Sequence, residues 1–250
     1  MKFITIFFML CIMLFADTHK IYYYMTDKNI DNFKTLKVKF DSYLSRFGDY
    51  EFQAFTNKDL FETYLKNSHN IVMLTSLHYK QISSDYELDA VFVAQNKKSI
   101  TDTNVIVGKN HTQLVGTITT AFSDRYTKKL LRKTFGLYSL HILKVPKEID
   151  ALMSVGYGMS QFASVSKSSF RLLQKTNNNL TKNMRIYSES DPNYRMLVAV
   201  DKKSVQDKNF IRIFTNMNKS KNGRDILKLL GIDKMVKLNK RHLQELRSIR

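Results

Sequence analysis

Hydroxyl side chains recur at one kind of place in this sequence, where an apolar, strand-like run gives way to helical spacing. Ile71, Val72, Met73 and Leu74 end in Thr75-Ser76, after which Leu77, Tyr79 and Ile82 follow a helical period. "LVGTITTAF" precedes Ser123 and "DRYTKKLLRKTFG", and "SQFASVS" runs into serines between Ser164 and Ser169 before "SSFRLLQKT". The start of a helix carries unpaired N–H groups and the positive end of its dipole, which favour an anion, and hydroxyls add donors. A serine there also caps its own helix, which is its commonest use. Repetition in both halves of the chain points further, to a crevice at the carboxyl ends of strands where several such helix starts meet.

Covalent chemistry has little to work with. The six histidines form no HExxH pair and join no cysteine cluster, so no zinc centre is expected. "GYGMSQ" lacks the third glycine of a dinucleotide fingerprint and follows a helix rather than a strand. There is no GxxxxGK[ST] loop and no GxSxG elbow. The one cysteine, Cys11, lies in the apolar N-terminal segment, so the mature chain would have no thiol. Neither an enzyme nor a cofactor is expected, and the reading is one of binding.

The elements that must position these hydroxyls alternate. "KIYYYMT" reads as a strand; Ile30, Phe33, Lys37, Phe40, Tyr43, Leu44 and Phe47 mark a helix face ended by Gly48. "YEFQAFT" follows, with Asn57 capping a helix that carries Leu60, Phe61, Tyr64 and Leu65. The run through Leu74, a short helix and "LDAVFVAQ" complete a βαβαβαβ rhythm, that of parallel strands with helices on both faces. "NKKSITDTN" reads as a crossing into another lobe, built from "VIVG", "LVGTITTAF", "SLHILKV" and "SQFASVS" with helices between them. "MRIYSES", Asp191-Pro192-Asn193 and "MLVAVD" lead back, and the tail from Val205 is expected to be helical.

"MKFITIFFMLCIMLFADTHK" has a lone Lys2, an apolar core and Ala16 at a cleavage position, the pattern of a secretory signal peptide over 1–16. A disulfide-free exported chain with an ordinary core suits a periplasm. The formal charge of +18 attracts anions, be they nucleic acid, membrane surface or small oxyanion. Yet the lysines and arginines are spread over the polar faces of helices, as in a solvated surface. No aromatic-studded basic strand face and no basic recognition helix occurs, so nucleic acid is not an expected partner.

Three stretches resemble the periplasmic substrate-binding proteins of phosphate/phosphite/phosphonate ABC transporters: "NIVMLTSLHYKQI", "ALMSVGYGMSQFASVSKSSFRLL" and above all "FIRIFTNMNKSKNGRDILKLLGIDKM". With the order of elements, the likeness covers nearly all of the mature chain. It implies an α/β, two-lobed type II periplasmic binding fold, each lobe a mixed sheet flanked by helices, joined by two hinge strands. Mapped here, lobe one is 17–104 plus 191–250, and lobe two is 105–190. It further implies capture of a small anionic ligand between the lobes by a monomer that serves an ABC permease. The alternative is a ligand-sensing or accessory protein signalling to a membrane partner. Ser76 and Tyr79 match the family's strand-to-helix position in lobe one, and Tyr24 borders the cleft from the first strand. In lobe two, Ser123 is retained where the family has a Ser-Thr-Ser-Gly-like turn, but "TTAFSDRYTK" replaces the small-residue loop. Arg125 would there pair with the ligand, and Ser164 and Ser166 fall at the end of the lobe-two strand, one of them expected to face inward.

Overall fold

The computed structural model describes residues 19–26, 33–66, 71–110, 115–136, 139–205 and 207–248. The expected signal peptide with Cys11, Ile30 of the first helix face, and Asn70 lie outside the described residues.

Strands β1 (His19–Tyr23), β2 (Tyr50–Ala54), β3 (Ile71–Leu74) and β4 (Leu88–Gln95) alternate with helices Phe33–Leu44, Lys58–Tyr64 and Ser76–Ile82. The short β5 (Thr101–Asp102) leads into β6 (Asn104–Lys109), β7 (Val115–Thr120), β8 (Ser139–Lys144), β9 (Phe162–Ser166) and β10 (Met184–Glu189). Helices Asp124–Phe135, Glu148–Gly156 and Lys167–Thr176 connect these. Then β11 (Asn193–Tyr194) leads back to β12 (Leu197–Asp201), helices Lys208–Met217 and Lys221–Leu229, β13 (Lys234–Lys237) and helix Lys240–Ser248.

The strands form two sheets, ordered β13-β4-β12-β3-β1-β2 and β10-β6-β9-β7-β8. Between them β5 and β11 pair antiparallel, Asn193 opposite Asp102 and Tyr194 opposite Thr101, so the chain crosses out and back through two adjoining hinge strands. This is the expected two-lobed α/β architecture.

The inner strands of both sheets are buried on both faces, which is why β3, β4, β6 and β12 read as largely unbroken apolar runs rather than alternating ones. In the first sheet Ile21, Tyr23, Ile71 and Met73 face Leu36, Phe40, Phe214 and Ile226, while Tyr22, Val72 and Leu74 face Phe61, Ile82 and Leu246. In the second, Val105, Val107 and Val165 pack on Leu152 and Phe170, and Ile106, Ile118 and Phe162 on Leu130 and Leu131.

The first sheet is mixed, as expected: β1 pairs parallel with β2 and β3, β4 runs in the same sense, and β12 lies antiparallel between β3 and β4. The strand comes back from the hinge and so runs in the opposite sense. One expectation changes: the tail is not wholly helical, because "KMVK" forms β13 along the outer edge of β4. Two apolar residues in a run of four give too little periodicity to be read as a strand.

Candidate ligand-binding cleft

Parallel strands end on the same side. The carboxyl ends of β1, β2 and β3 therefore gather on one side of the first sheet, and those of β7 and β8, where Thr120 lies opposite Lys144, gather in the second. The loops that leave these ends face each other across a cavity of about 380 Å³. From the first sheet Tyr24, Lys58, Thr75 and His78 line it, and from the second Phe122, Ser123 and Lys144.

Local sequence explains these placements. Asn57 caps helix Lys58–Tyr64 through Oδ1, which accepts from Leu60 N at 2.9 Å, and this sets Lys58 at the helix start. Thr75, rather than Ser76, caps the next helix, its Oγ1 accepting from His78 N at 3.1 Å. Ser123 caps helix Asp124–Phe135 by accepting from Tyr126 N at 3.4 Å. Tyr24 stacks on Phe61, with ring centroids 5.5 Å apart, and meets the His78 ring edge-on.

Lys58 and Lys144 face each other across this cavity, each with a carboxylate nearby, and Asp59 also lines it. Lys58 Nζ is 3.4 Å from Glu62, and Lys144 Nζ is 3.9 Å from Asp124. Partial burial holds the Lys144 ammonium below the usual lysine range; Asp124 opposes that shift, and the charge of Lys58 on the opposite wall adds to it. Lys80 is likewise lowered to about 8, mainly by burial and then by Lys129 of the other lobe. An anion placed between such pairs offsets repulsion that the lobes otherwise bear.

His78 is 6% exposed, with Nε2 2.8 Å from Glu62 Oε1 and Nδ1 buried without a hydrogen-bond partner among the described residues. Burial pushes its pKa below the ordinary histidine value, against the opposing pull of Glu62. The unfolded chain therefore binds this proton more readily than the folded one. Stability is full above the unfolded value of about 6.5 and falls as pH drops below it toward the folded pKa. His78→Gln is expected to flatten that part of the stability-versus-pH curve. Urea midpoints of both proteins between pH 7.5 and 5 check this, and parallel curves would sink it.

The expected contacts are distributed unevenly. Tyr24 and Ser123 line the cavity of about 380 Å³. Ser76 and Ser166 line a smaller inner cavity of about 50 Å³ near the hinge, together with Asn104, Phe122 and Glu148. Ser76 is 1% exposed and donates to the hinge carbonyl of Tyr194 at 2.5 Å. Tyr79, Arg125 and Ser164 line neither cavity. Tyr79 turns back to donate to Leu88 O at 3.0 Å; Arg125 is exposed on its helix; Ser164 is fully buried in the strand. Lys58, His78, Lys144 and Glu148 were not singled out from sequence. Lys144 ends a strand-like run as the hydroxyls do, so the same rule extended to cations would have found it. Among the described residues no cluster of potential metal ligands occurs, and no helix is long and apolar enough to cross a membrane.

No model of a known protein family matches the sequence, and no curated protein matches it. Solved structures do. A binding protein component of an ABC phosphonate transporter (PA3383) from Pseudomonas aeruginosa is 10% identical, with TM-score 0.72 over 92% of this chain and 85% of that one. PhnD1 from Prochlorococcus marinus, in complex with methylphosphonate, is 13% identical, with TM-score 0.71 over 93% of this chain and 97% of that one. XAC2383 from Xanthomonas citri, bound to chloride ion, is 14% identical, with TM-score 0.73 over 92% and 96%. Identities this low establish the architecture alone, and it is the two-lobed fold of periplasmic binding proteins.

Proposed function

We propose that the protein is an exported solute-binding protein that captures a small phosphonate- or phosphate-like anion between its lobes for an ABC importer. The lobes are 17–104 plus 191–250, and 105–190, and the protein works as a periplasmic monomer without covalent chemistry. What carries the reading is the cavity of about 380 Å³ with Lys58 on one wall and Lys144 on the other. Ser123 adds a hydroxyl at a helix start, and Thr75 and Tyr24 face it. An anion held by both lysines draws the lobes together, because it touches both sides only when they are closed. Structures of similar fold hold methylphosphonate, chloride, ATP and arginine, so the anionic class rests on the lysines of this cavity and not on the neighbours.

A thermal-shift panel of phosphate, phosphite, methylphosphonate and sulfonates, with small amines for contrast, tests this. A ligand at a hundred times its Kd stabilises by about 2.7 kcal/mol. For a chain of this size that is a rise in Tm of about 5–10 °C. Lys144→Met is expected to weaken the responding anion about tenfold or more, the worth of one charged hydrogen bond, while leaving Tm without ligand nearly unchanged. A response to amines alone, or to nothing in the panel, overturns the anion reading. Silence across the panel favours an accessory protein that signals to a membrane partner.

A further inference from the structure

A carboxyl side chain of the second lobe reaches the start of one of that lobe's own helices. Glu148 is 1% exposed, and its Oε2 accepts two hydrogen bonds at the start of helix Lys167–Thr176, from Ser166 N at 2.7 Å and from Ser166 Oγ at 2.7 Å. That helix has ten residues and no acidic residue in its first turn, and the acidic side chain at its positive end comes from a residue 18 positions earlier. Two hydrogen bonds to one oxygen fix the orientation of this carboxyl. Glu148 also sits where the lobes meet: its backbone N donates to Thr26 O at 3.0 Å, and its side chain lines the inner cavity beside Ser76 and Asn104.

We infer that Glu148 is a resident anion, a carboxylate that occupies the place at Ser166 which an oxyanion would otherwise take, and so determines where in the cleft a ligand can bind. With that place filled and Phe122 forming another wall, the inner cavity keeps only about 50 Å³. An incoming anion is turned away from the inner cavity by the carboxylate and kept to the outer cavity between Lys58 and Lys144. This second half rests on the proposed function; the occupancy of the Ser166 position does not.

Glu148→Ala removes four heavy atoms beyond Cβ, and acetate has the same four. The expected result is that E148A melts below the wild type. Acetate then restores it saturably, by about 3–6 °C at ten times its Kd. Equal concentrations of sodium chloride, or of the uncharged isostere acetamide, do less, and the wild type responds to acetate no more than to chloride. Inorganic phosphate, as a second probe, competes with acetate for E148A. It does so whether or not the wild type binds phosphate in the outer cavity, so the two readings fail separately. If E148A does not fold in chloride, its refolding yield is the reading: recovery in acetate supports the inference. Equal yields in the two salts overturn it, as does an acetate response in E148A no larger than in the wild type.

Discussion

Phe52→Ala is expected to lower stability by about 3–5 kcal/mol, the usual cost of emptying a fully buried aromatic site. Phe52 lies on β2 with no exposed surface, its ring stacked on Phe40 at 4.2 Å between centroids and 2° between planes. Tyr23 of the neighbouring strand completes the contact at 6.0 Å. The truncation loses burial and leaves a hole, and it breaks a stacked pair worth about 0.5–1.5 kcal/mol beyond area alone. Collapse is restricted because β2 is held to β1 across five paired positions and helix Phe33–Leu44 covers the site. In Tm the loss corresponds to about 6–20 °C. Phe52 lines neither cavity of the cleft, so the affinity of any ligand found should survive at temperatures where the variant is folded. Urea unfolding of both proteins checks the first point; a loss under about 1.5 kcal/mol would mean that the stack is not where the stability lies.

Gly223→Ala is expected to destabilise by about 1–3 kcal/mol or more, the range for forcing atoms into a packed site. In a helix, alanine is ordinarily better than glycine by roughly 1 kcal/mol, so the sign here is diagnostic. A Cβ at 223 would lie 2.5 Å from both Cα and O of Met217 and 2.8 Å from its carbonyl carbon. These are backbone atoms of the preceding helix and cannot swing aside. The helix Lys221–Leu229 would have to move off, taking with it Ile226 and Leu227 from the core. Ser220→Ala is the comparison: it removes the cap on Gly223 N at 3.1 Å and should cost about 1 kcal/mol. If G223A is as stable as the wild type, the close approach of the two helices is wrong.

That glycine also shows what the sequence made legible. "NGRDILKLLGI" carried the resemblance to a family, and its Gly223 now has a physical cause in the approach to Met217. The buried strands, the caps at Asn57 and Ser123, and the crossing near Asp102 could be read because local apolar runs and turn chemistry decide them. The place of β12 between β3 and β4 could not, because pairing partners far apart in sequence leave no local mark. The cleft was legible as a location, at strand ends, rather than as a set of contacts. Tyr79 satisfies the helical spacing equally well when it points back at Leu88. Glu148 stayed hidden for a related reason: a buried carboxylate needs its donors, and these come from Ser166 on another element.

The position of β12 has a consequence for how the molecule is made. The second sheet comes from one continuous stretch, β6 to β10, and can close as soon as that stretch is available. The first sheet lacks its centre until Leu197–Asp201 arrive; meanwhile β3 presents one unpaired edge to the solution and β4 presents two, the second of which waits for β13. Contacts so distant along the chain form slowly. The lobe synthesised first is thus the last to be completed, and whatever guards the nascent chain must cover those edges until β12 and then β13 fill them.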